Sequence, residues 1–341
     1  MAKIMAYLEA ANATIVEEMR RDPTIFIYGE ETQAGSTTLA HAGKSAEDLN
    51  KEFGKKRINF APISETAMAG AGIGAALTGM RPIVDLWMSD FIMVEAEQQI
   101  NEAARIRFKL GNMVECPVVF RINYGLAGIG ASVQHSNCYY NKFADTPGLI
   151  LAIPSTSADV VGLWRTALRK NINPVQMWES FLVQEIKGPV PEGDYTIPFG
   201  KADVKREGSD VTIAAVGYMV HLALDAAKDL ANEGIDAEVW DPRTLAPFDR
   251  ESLIDSVSKT GAMVVVDQEP KSFGTTGEFA MTLAEAMDPV PPMARVTLGD
   301  GSIAFSPTLE KYILPSKDKI VIAVRELLGR KGANNPSGMQ K

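Results

Sequence analysis

Cysteine and histidine are both scarce. The 341 residues include two cysteines, Cys116 and Cys138, and three histidines, His41, His135 and His221. Two thiols cannot build a disulfide framework, and without a Cys-x-x-Cys pair there is little to hold zinc. Both thiols read as buried packing. Long apolar runs are missing too: none reaches the about 18 uninterrupted residues that a membrane span needs. The opening Met1-Ala2-Lys3-Ile4 is soon followed by Glu9, Glu17 and Glu18 and carries no signal-peptide core. Positive charge is in deficit. A net charge of −9 speaks against a nucleic-acid partner, which would require a basic face. No repeat of roughly 20–50 residues is present. What remains is an ordinary soluble composition, 46% hydrophobic and 23% charged, with length for roughly two domains. A cytoplasmic, reducing compartment is expected.

Apolar segments bounded by turns alternate with segments of helical period. Ile4 to Arg21 has helical spacing and stops before Pro23, and Ile25 to Tyr28 reads as a buried strand ending at Gly29-Glu30-Glu31. Further strands are expected near Arg57–Phe60, Pro82–Trp87, Pro117–Ile122, Ile150–Ile153 and Val175–Trp178. Helices are expected at Val94–Leu110 and Ala158–Arg169. The stretch Lys187–Asp194 concentrates Pro and Gly without periodicity and reads as a connection. The alternation then restarts, with strands near Val211, Ala237, Met263 and Arg295 and a last helix at Lys317–Leu328. The expected class is α/β, two domains with mostly parallel sheets covered by helices. The boundaries read as a first domain at 1–188, a linker at 189–198, a second domain at 199–329 and a flexible tail at 330–341.

Chemistry concentrates after the second of these strands. Pro62-Ile63-Ser64-Glu65 leads into Thr66-Ala67-Met68-Ala69-Gly70-Ala71-Gly72-Ile73-Gly74, a helix of small residues able to pack closely. Ser64 is placed to cap the first turn by accepting a backbone N–H. Glu65 falls on that turn, aimed at a surface the helix buries. A carboxyl group buried among apolar neighbours stays protonated more readily and can then donate a hydrogen bond. A first-turn Glu that merely complements the helix dipole fits the same spacing. His135 lies between Gln134 and Ser136 just after the Gly-rich segment Gly125–Gly130, a loop setting rather than a core one. Imidazole needs no tuning to act as acid or base near neutral pH. His41 and His221 have no such context and read as structural or surface.

The chain resembles the β subunit of the thiamine-diphosphate-dependent 2-oxo acid dehydrogenase E1 component. The resemblance is carried in order and spacing by Pro62–Glu65 with its Gly/Ala helix, Gly79-Met80-Arg81-Pro82-Ile83, Ser89-Asp90-Phe91, Gln134-His135-Ser136, Asp145-Thr146-Pro147-Gly148-Leu149, Pro191-Glu192-Gly193-Asp194-Tyr195 and Asp241–Asp249. It covers residues 4 to 329. Pyruvate, branched-chain 2-oxo acid and acetoin dehydrogenases share this subunit type. The resemblance implies a transketolase-like pyrimidine-binding domain followed by a transketolase C-terminal-like domain. It also implies an α2β2 heterotetramer in which the α subunit holds the diphosphate and its Mg2+, with a lipoyl acyltransferase E2 as acceptor and a 2-oxo acid or acetoin as substrate. By the same resemblance Glu65 bonds N1′ of the aminopyrimidine and favours its imino tautomer. Phe91 packs on that ring, Ile63 walls the pocket, Glu30 stands in an acidic tunnel between paired sites, and His135 assists acyl transfer to the lipoyl arm. Core packing is an equally good reading of Phe91; for Glu30 the alternative is a solvent-exposed strand end. A K+ site through the backbone carbonyls of Val119, Ala167 and Lys170 is implied for some members. Here the segment Arg169–Pro174 is a residue longer than the common pattern and carries Lys where Asp is usual, which sets this chain apart.

Other departures are Asp145, where many members have His, Asn137-Cys138, where Gln-Ser or Gln-Cys is common, and the stretch Glu30–Gly35. Gly299-Asp300-Gly301 and Asn334-Asn335 mimic a magnesium–diphosphate motif, but the Asn pair falls in the tail rather than in a unit that could present octahedral ligands. The chain is therefore expected to be catalytically incomplete alone. Two rival readings are the C-terminal half of a split transketolase-type enzyme acting on sugar phosphates, and a non-catalytic assembly subunit. Phosphate recognition calls for cationic side chains, and the Gly-rich loop has only Arg121 nearby. Retention of Glu65 and His135 goes against a scaffold.

Overall fold

The computed structural model describes residues 2–30, 46–125 and 131–333. They form two units: one holds the described residues through Phe199 together with Thr244–Pro247, the other holds Gly200–Arg243 and the described residues from Phe248 onward. The strands in chain order are β1 (Lys3–Ala6), β2 (Ile25–Gly29), β3 (Ile58–Phe60), β4 (Arg81–Met88), β5 (Val119–Tyr124), β6 (Ile150–Ala152), β7 (Val175–Ser180), β8 (Lys187–Val190), β9 (Asp203–Arg206), β10 (Val211–Ala215), β11 (Ala237–Asp241), β12 (Thr244–Ala246), β13 (Met263–Pro270) and β14 (Met293–Leu298).

The first unit is built on a seven-stranded sheet in the order β12-β6-β7-β5-β4-β2-β3. Every pairing is parallel except β12 with β6. Strands covered on both faces need no polar side, and β5 and β7 are buried at all of their positions. Helix Glu65–Leu77 packs on β4, and helices Tyr7–Arg21 and Ser157–Arg169 pack on each other. The small residues of helix Glu65–Leu77 serve this approach: a Cβ on Gly72 would meet Val84 Cγ2 at 2.5 Å and Tyr28 Oη at 3.1 Å. At the end of β2, a Cβ on Gly29 would lie 2.3 Å from the Asp85 carbonyl oxygen, so glycine lets β2 close tightly on β4 just before Glu30.

The connections set where a ligand can enter. From β2 the chain moves outward to β3; from β4 it moves the other way to β5. The loops leaving β2 and β4 therefore diverge and open a crevice at the carboxyl edge of the sheet, the place where open α/β sheets bind ligands.

A pair of opposite charges is sealed inside this unit. Arg121 on β5 and Glu179 on β7 are both fully buried. Arg121 Nη2 donates to Glu179 Oε2 at 2.8 Å, and Trp164 Nε1 donates to Glu179 Oε1 at 2.7 Å. Arg121 is thus committed to the core and does not face a phosphate.

The second unit is a five-stranded sheet in the order β14-β13-β10-β11-β9, parallel except for β9 at its edge. Val211, Ile213, Val239 and Val264 form one core with helix Met219–Ala231 and with Ile320, Val324 and Leu327 of the last helix.

Several local expectations change. The chain opens with β1, and the helix starts only at Tyr7. Lys187–Val190, expected as irregular connection and overlapping the start of the 189–198 linker, pairs antiparallel with β1. The expected helix Val94–Leu110 starts at Ile92, passes through a π-helical turn at Gln98–Ala103 and resumes at Ile106–Lys109. The last helix runs to Ala333, into the stretch expected as tail. Asn334, Asn335, His41, Glu31–Gly35 and most of the Gly125–Gly130 loop lie outside the described residues. Cys116 and Cys138 are both buried. No helix among the described residues is long and apolar enough to cross a membrane.

Candidate active site

Four strand ends deliver the candidate residues to one sheet edge. Glu30 follows β2, Glu65 follows β3, Phe91 follows β4 and His135 follows β5. Glu30 and Glu65 are buried, with 8% and 9% exposure, while Ile63 is 77% exposed. Ser64 does not cap the helix as expected. Its hydroxyl donates to the Ile63 carbonyl at 2.7 Å, and the first helical bond is Met68 N–H to the Ser64 carbonyl.

A third carboxyl group joins these two and was not anticipated from the sequence. Glu95 lies one turn beyond Phe91 and is fully buried. Burial pushes its carboxyl up to about 8; the bond from Gln99 opposes the rise, and the charges of Glu65 and Glu30 add to it. Burial and Glu95 together hold the Tyr28 phenol well above its ordinary range. The Tyr28 hydroxyl donates to the Met68 carbonyl, tying β2 to helix Glu65–Leu77. One signal was available: Phe91, Glu95 and Gln99 are spaced four apart and share a helix face.

The rings of Phe91 and His135 meet edge to face with centroids 5.5 Å apart. The turn that carries Phe91 also holds the His135 segment. Ser89 Oγ donates to the Asn137 carbonyl at 2.5 Å, the Asn137 N–H donates to Asp90 Oδ2 at 3.3 Å, and Asn137 Nδ2 bonds Asp90 Oδ1 and the Val133 carbonyl. Burial raises the Asp90 carboxyl, and the Asn137 donors and His135 offset part of that rise. The departure noted at Asn137 is thus part of a clamp, whereas Asp145 is exposed well along the chain from it.

The residues named for a K+ site are not brought to this edge. Val119 begins β5 at the opposite end of the strand from Tyr124, whose successors lead to His135. Ala167 and Lys170 close helix Ser157–Arg169.

The Glu95 carboxyl sets a pH-dependent stability. Its value in the folded chain, about 8, lies above the ordinary 4.5, so its favourable contribution is complete below about pH 4.5 and is lost as pH rises through about 8. The unfolding free energy of the wild type relative to Glu95→Gln is expected to fall by about 4 kcal/mol between about pH 5 and pH 9. Urea titrations across that range measure it; a constant difference contradicts the burial argument.

Residues 3–180 match the transketolase pyrimidine-binding domain and residues 200–320 the transketolase C-terminal domain. The chain is 41% identical over 329 residues to a 2-oxoisovalerate dehydrogenase subunit beta of Bacillus subtilis (strain 168), covering 95% of this chain and 98% of the relative. It is 38% identical to the acetoin:2,6-dichlorophenolindophenol oxidoreductase subunit beta of the same organism, over 98% and 100% of the two chains. It is 37% identical to the pyruvate dehydrogenase E1 component subunit beta of Rickettsia felis (strain ATCC VR-1525 / URRWXCal2), over 94% and 97%. A solved split-gene transketolase, described as an inactive beta4 tetramer, superposes with a TM-score of 0.77 at 23% identity, covering 95% of this chain and 99% of that one, a likeness of fold. With both domain matches in order and relatives of this identity along nearly its whole length, the chain belongs to the transketolase-type family of E1 β subunits of 2-oxo acid and acetoin dehydrogenases.

Proposed function

We propose that this chain is the β subunit of a thiamine-diphosphate-dependent E1 component. With an α subunit, in an α2β2 assembly, it decarboxylates a 2-oxo acid or cleaves acetoin and passes the acyl group to a lipoyl arm of an E2 acyltransferase. The observation that carries this reading is the crevice between the ends of β2 and β4, where the strand ends gather carboxyl groups, an aromatic ring and an imidazole.

That donor set fits the aminopyrimidine end of the cofactor. A buried carboxyl at a helix start can bond a ring nitrogen, and a ring such as Phe91 can pack on a heterocycle. It does not fit the diphosphate, which needs cations or a bound metal. The sealed Arg121–Glu179 pair removes the arginine nearest to the Gly-rich loop, in keeping with Mg2+ and diphosphate being held by the α subunit. The same pair weighs against the sugar-phosphate reading.

When bound, thiamine diphosphate supplies the nucleophilic carbon and the electron sink for C–C cleavage. Glu65 holds a proton at the pyrimidine N1′ and so sets the tautomer. Phe91 would pack on the ring and Ile63 would wall its pocket. Glu30 lines the way between paired sites. His135, held half-buried against Phe91 by the Asp90–Asn137 clamp, moves a proton as the acyl group leaves for the lipoyl arm. A K+ at the carbonyls of Val119, Ala167 and Lys170 would brace the far end of the sheet and take no part in this chemistry.

A half-site should not work alone. Purified by itself, the chain is expected neither to bind thiamine diphosphate tightly by calorimetry nor to turn over pyruvate, a branched-chain 2-oxo acid or acetoin with a dye acceptor. Co-purified with its α subunit it is expected to do both. Robust turnover by the lone chain would sink the shared-site reading.

A further inference from the structure

We propose that Glu95 acts in this site as a neutral carboxylic acid with its proton on Oε1, donating into the crevice lined by Glu30 and Glu65 and so positioning Glu65. The inference deepens the function proposed above and rests on it for the role of Glu65.

The placement of the proton follows from a polarised chain of side chains. An indole N–H can only donate, and Trp178 Nε1 donates to Gln176 Oε1 at 3.0 Å. That fixes the Gln176 amide, whose Nε2 donates to Gln99 Oε1 at 2.6 Å. Gln99 is oriented in turn, and its Nε2 donates to Glu95 Oε2 at 2.6 Å. All four side chains are fully buried. Each amide has one oxygen and one nitrogen end, so the direction set at Trp178 reaches Glu95 unchanged. Oε2 is therefore the acceptor, and a proton on this carboxyl belongs on Oε1. Oε1 is buried and has no hydrogen-bond partner among the described residues.

The surroundings favour keeping that proton. Glu65 acts on Glu95 from the packed helix Glu65–Leu77, and Glu30 and Tyr28 act from the end of β2. Tyr28 donates to the Met68 carbonyl. Asp90, in the preceding turn, bonds Asn137, and Glu102, in the following turn, bonds Lys109. Among the described residues, none of the groups that act on Glu95 is a cation. Ionising three carboxyl groups in one buried crevice stacks like charge in low dielectric. The upward push on Glu95 described above agrees with this. A neutral Glu95 is a donor where Glu30 and Glu65 offer acceptors, and it fixes a rotamer of Glu65 without adding charge beside the cofactor.

Infrared difference spectroscopy on the α/β enzyme with thiamine diphosphate and Mg2+ tests the proton directly. A carboxylic-acid C=O band is expected at neutral pH. It should vanish as pH rises through about 8 and be missing in Glu95→Gln. In Gln99→Met the band should persist and move to higher wavenumber, because its carbonyl loses a hydrogen bond. A wild-type minus Glu95→Gln difference containing only carboxylate bands overturns the proposal. The positioning role is read from pH profiles: wild-type kcat/KM should fall about tenfold from about pH 7 to pH 9. Glu95→Gln, whose amide donates at every pH, should move or abolish that limb, and Glu95→Ala should lower kcat/KM throughout. An alkaline limb unmoved in Glu95→Gln overturns the positioning role. If Glu65→Gln proves as active as wild type, the function proposed above fails, while the infrared band still reports on Glu95.

Discussion

Glu65→Gln in the reconstituted α/β enzyme is expected to lower kcat by about 10²- to 10⁴-fold, the usual worth of a positioned acid or base, while assembly is retained. Glutamine fills the same volume at the start of helix Glu65–Leu77 and keeps one acceptor, so the helix and its packing on β4 should survive. What it lacks is a proton that can be shared with a ring nitrogen. Because the lost contact belongs to the activated state rather than to substrate binding, the effect should fall on kcat more than on KM. Steady-state kinetics with a dye acceptor, beside size-exclusion of the complex, measure both halves. Near-normal kcat in an intact complex would remove Glu65 from the chemistry.

The largest stability effect is expected at Glu179→Gln. Arg121 would keep its buried charge and lose the carboxylate 2.8 Å away, with Asp85 still there to offset part of it. Breaking one side of a buried pair costs about 3–5 kcal/mol. For a unit of this size that corresponds to a fall in Tm of roughly 10 °C. Replacing both partners, Arg121→Met with Glu179→Leu, should recover much of the loss, since no orphaned charge remains. Thermal unfolding of the three proteins separates the outcomes. Equal Tm values for wild type and Glu179→Gln would mean that the pair is not sealed as described.

The alternation of apolar strands and helices was legible because both faces of a parallel sheet are covered, so β4, β5, β7, β10 and β13 each carry a short, largely apolar stretch bounded by turns. The short pairings β1 with β8 and β12 with β6 were not. Three or four residues carry no period, and their partners lie far away in the chain. The carboxyl edge could be anticipated for Glu65 and His135, whose neighbours are unusual for their type. Glu95 was hidden because a glutamate on an amphipathic helix ordinarily marks the solvent face, and only the π-helical turn and the Gln176 contact show that this face is buried. The Ser64 cap failed for a local reason: its hydroxyl bonds the preceding carbonyl. The Asp90–Asn137 clamp joins residues 47 apart, beyond the reach of spacing arguments.

The central claim is that Glu65 activates a cofactor whose other end is held by a different chain. Exchange of the thiamine C2 proton with D2O, followed by quenched-flow NMR on the α/β enzyme, tests it without any substrate. Glu65→Gln is predicted to slow this exchange by about 10²-fold or more with the cofactor still bound. Exchange at the wild-type rate in that variant would contradict the account.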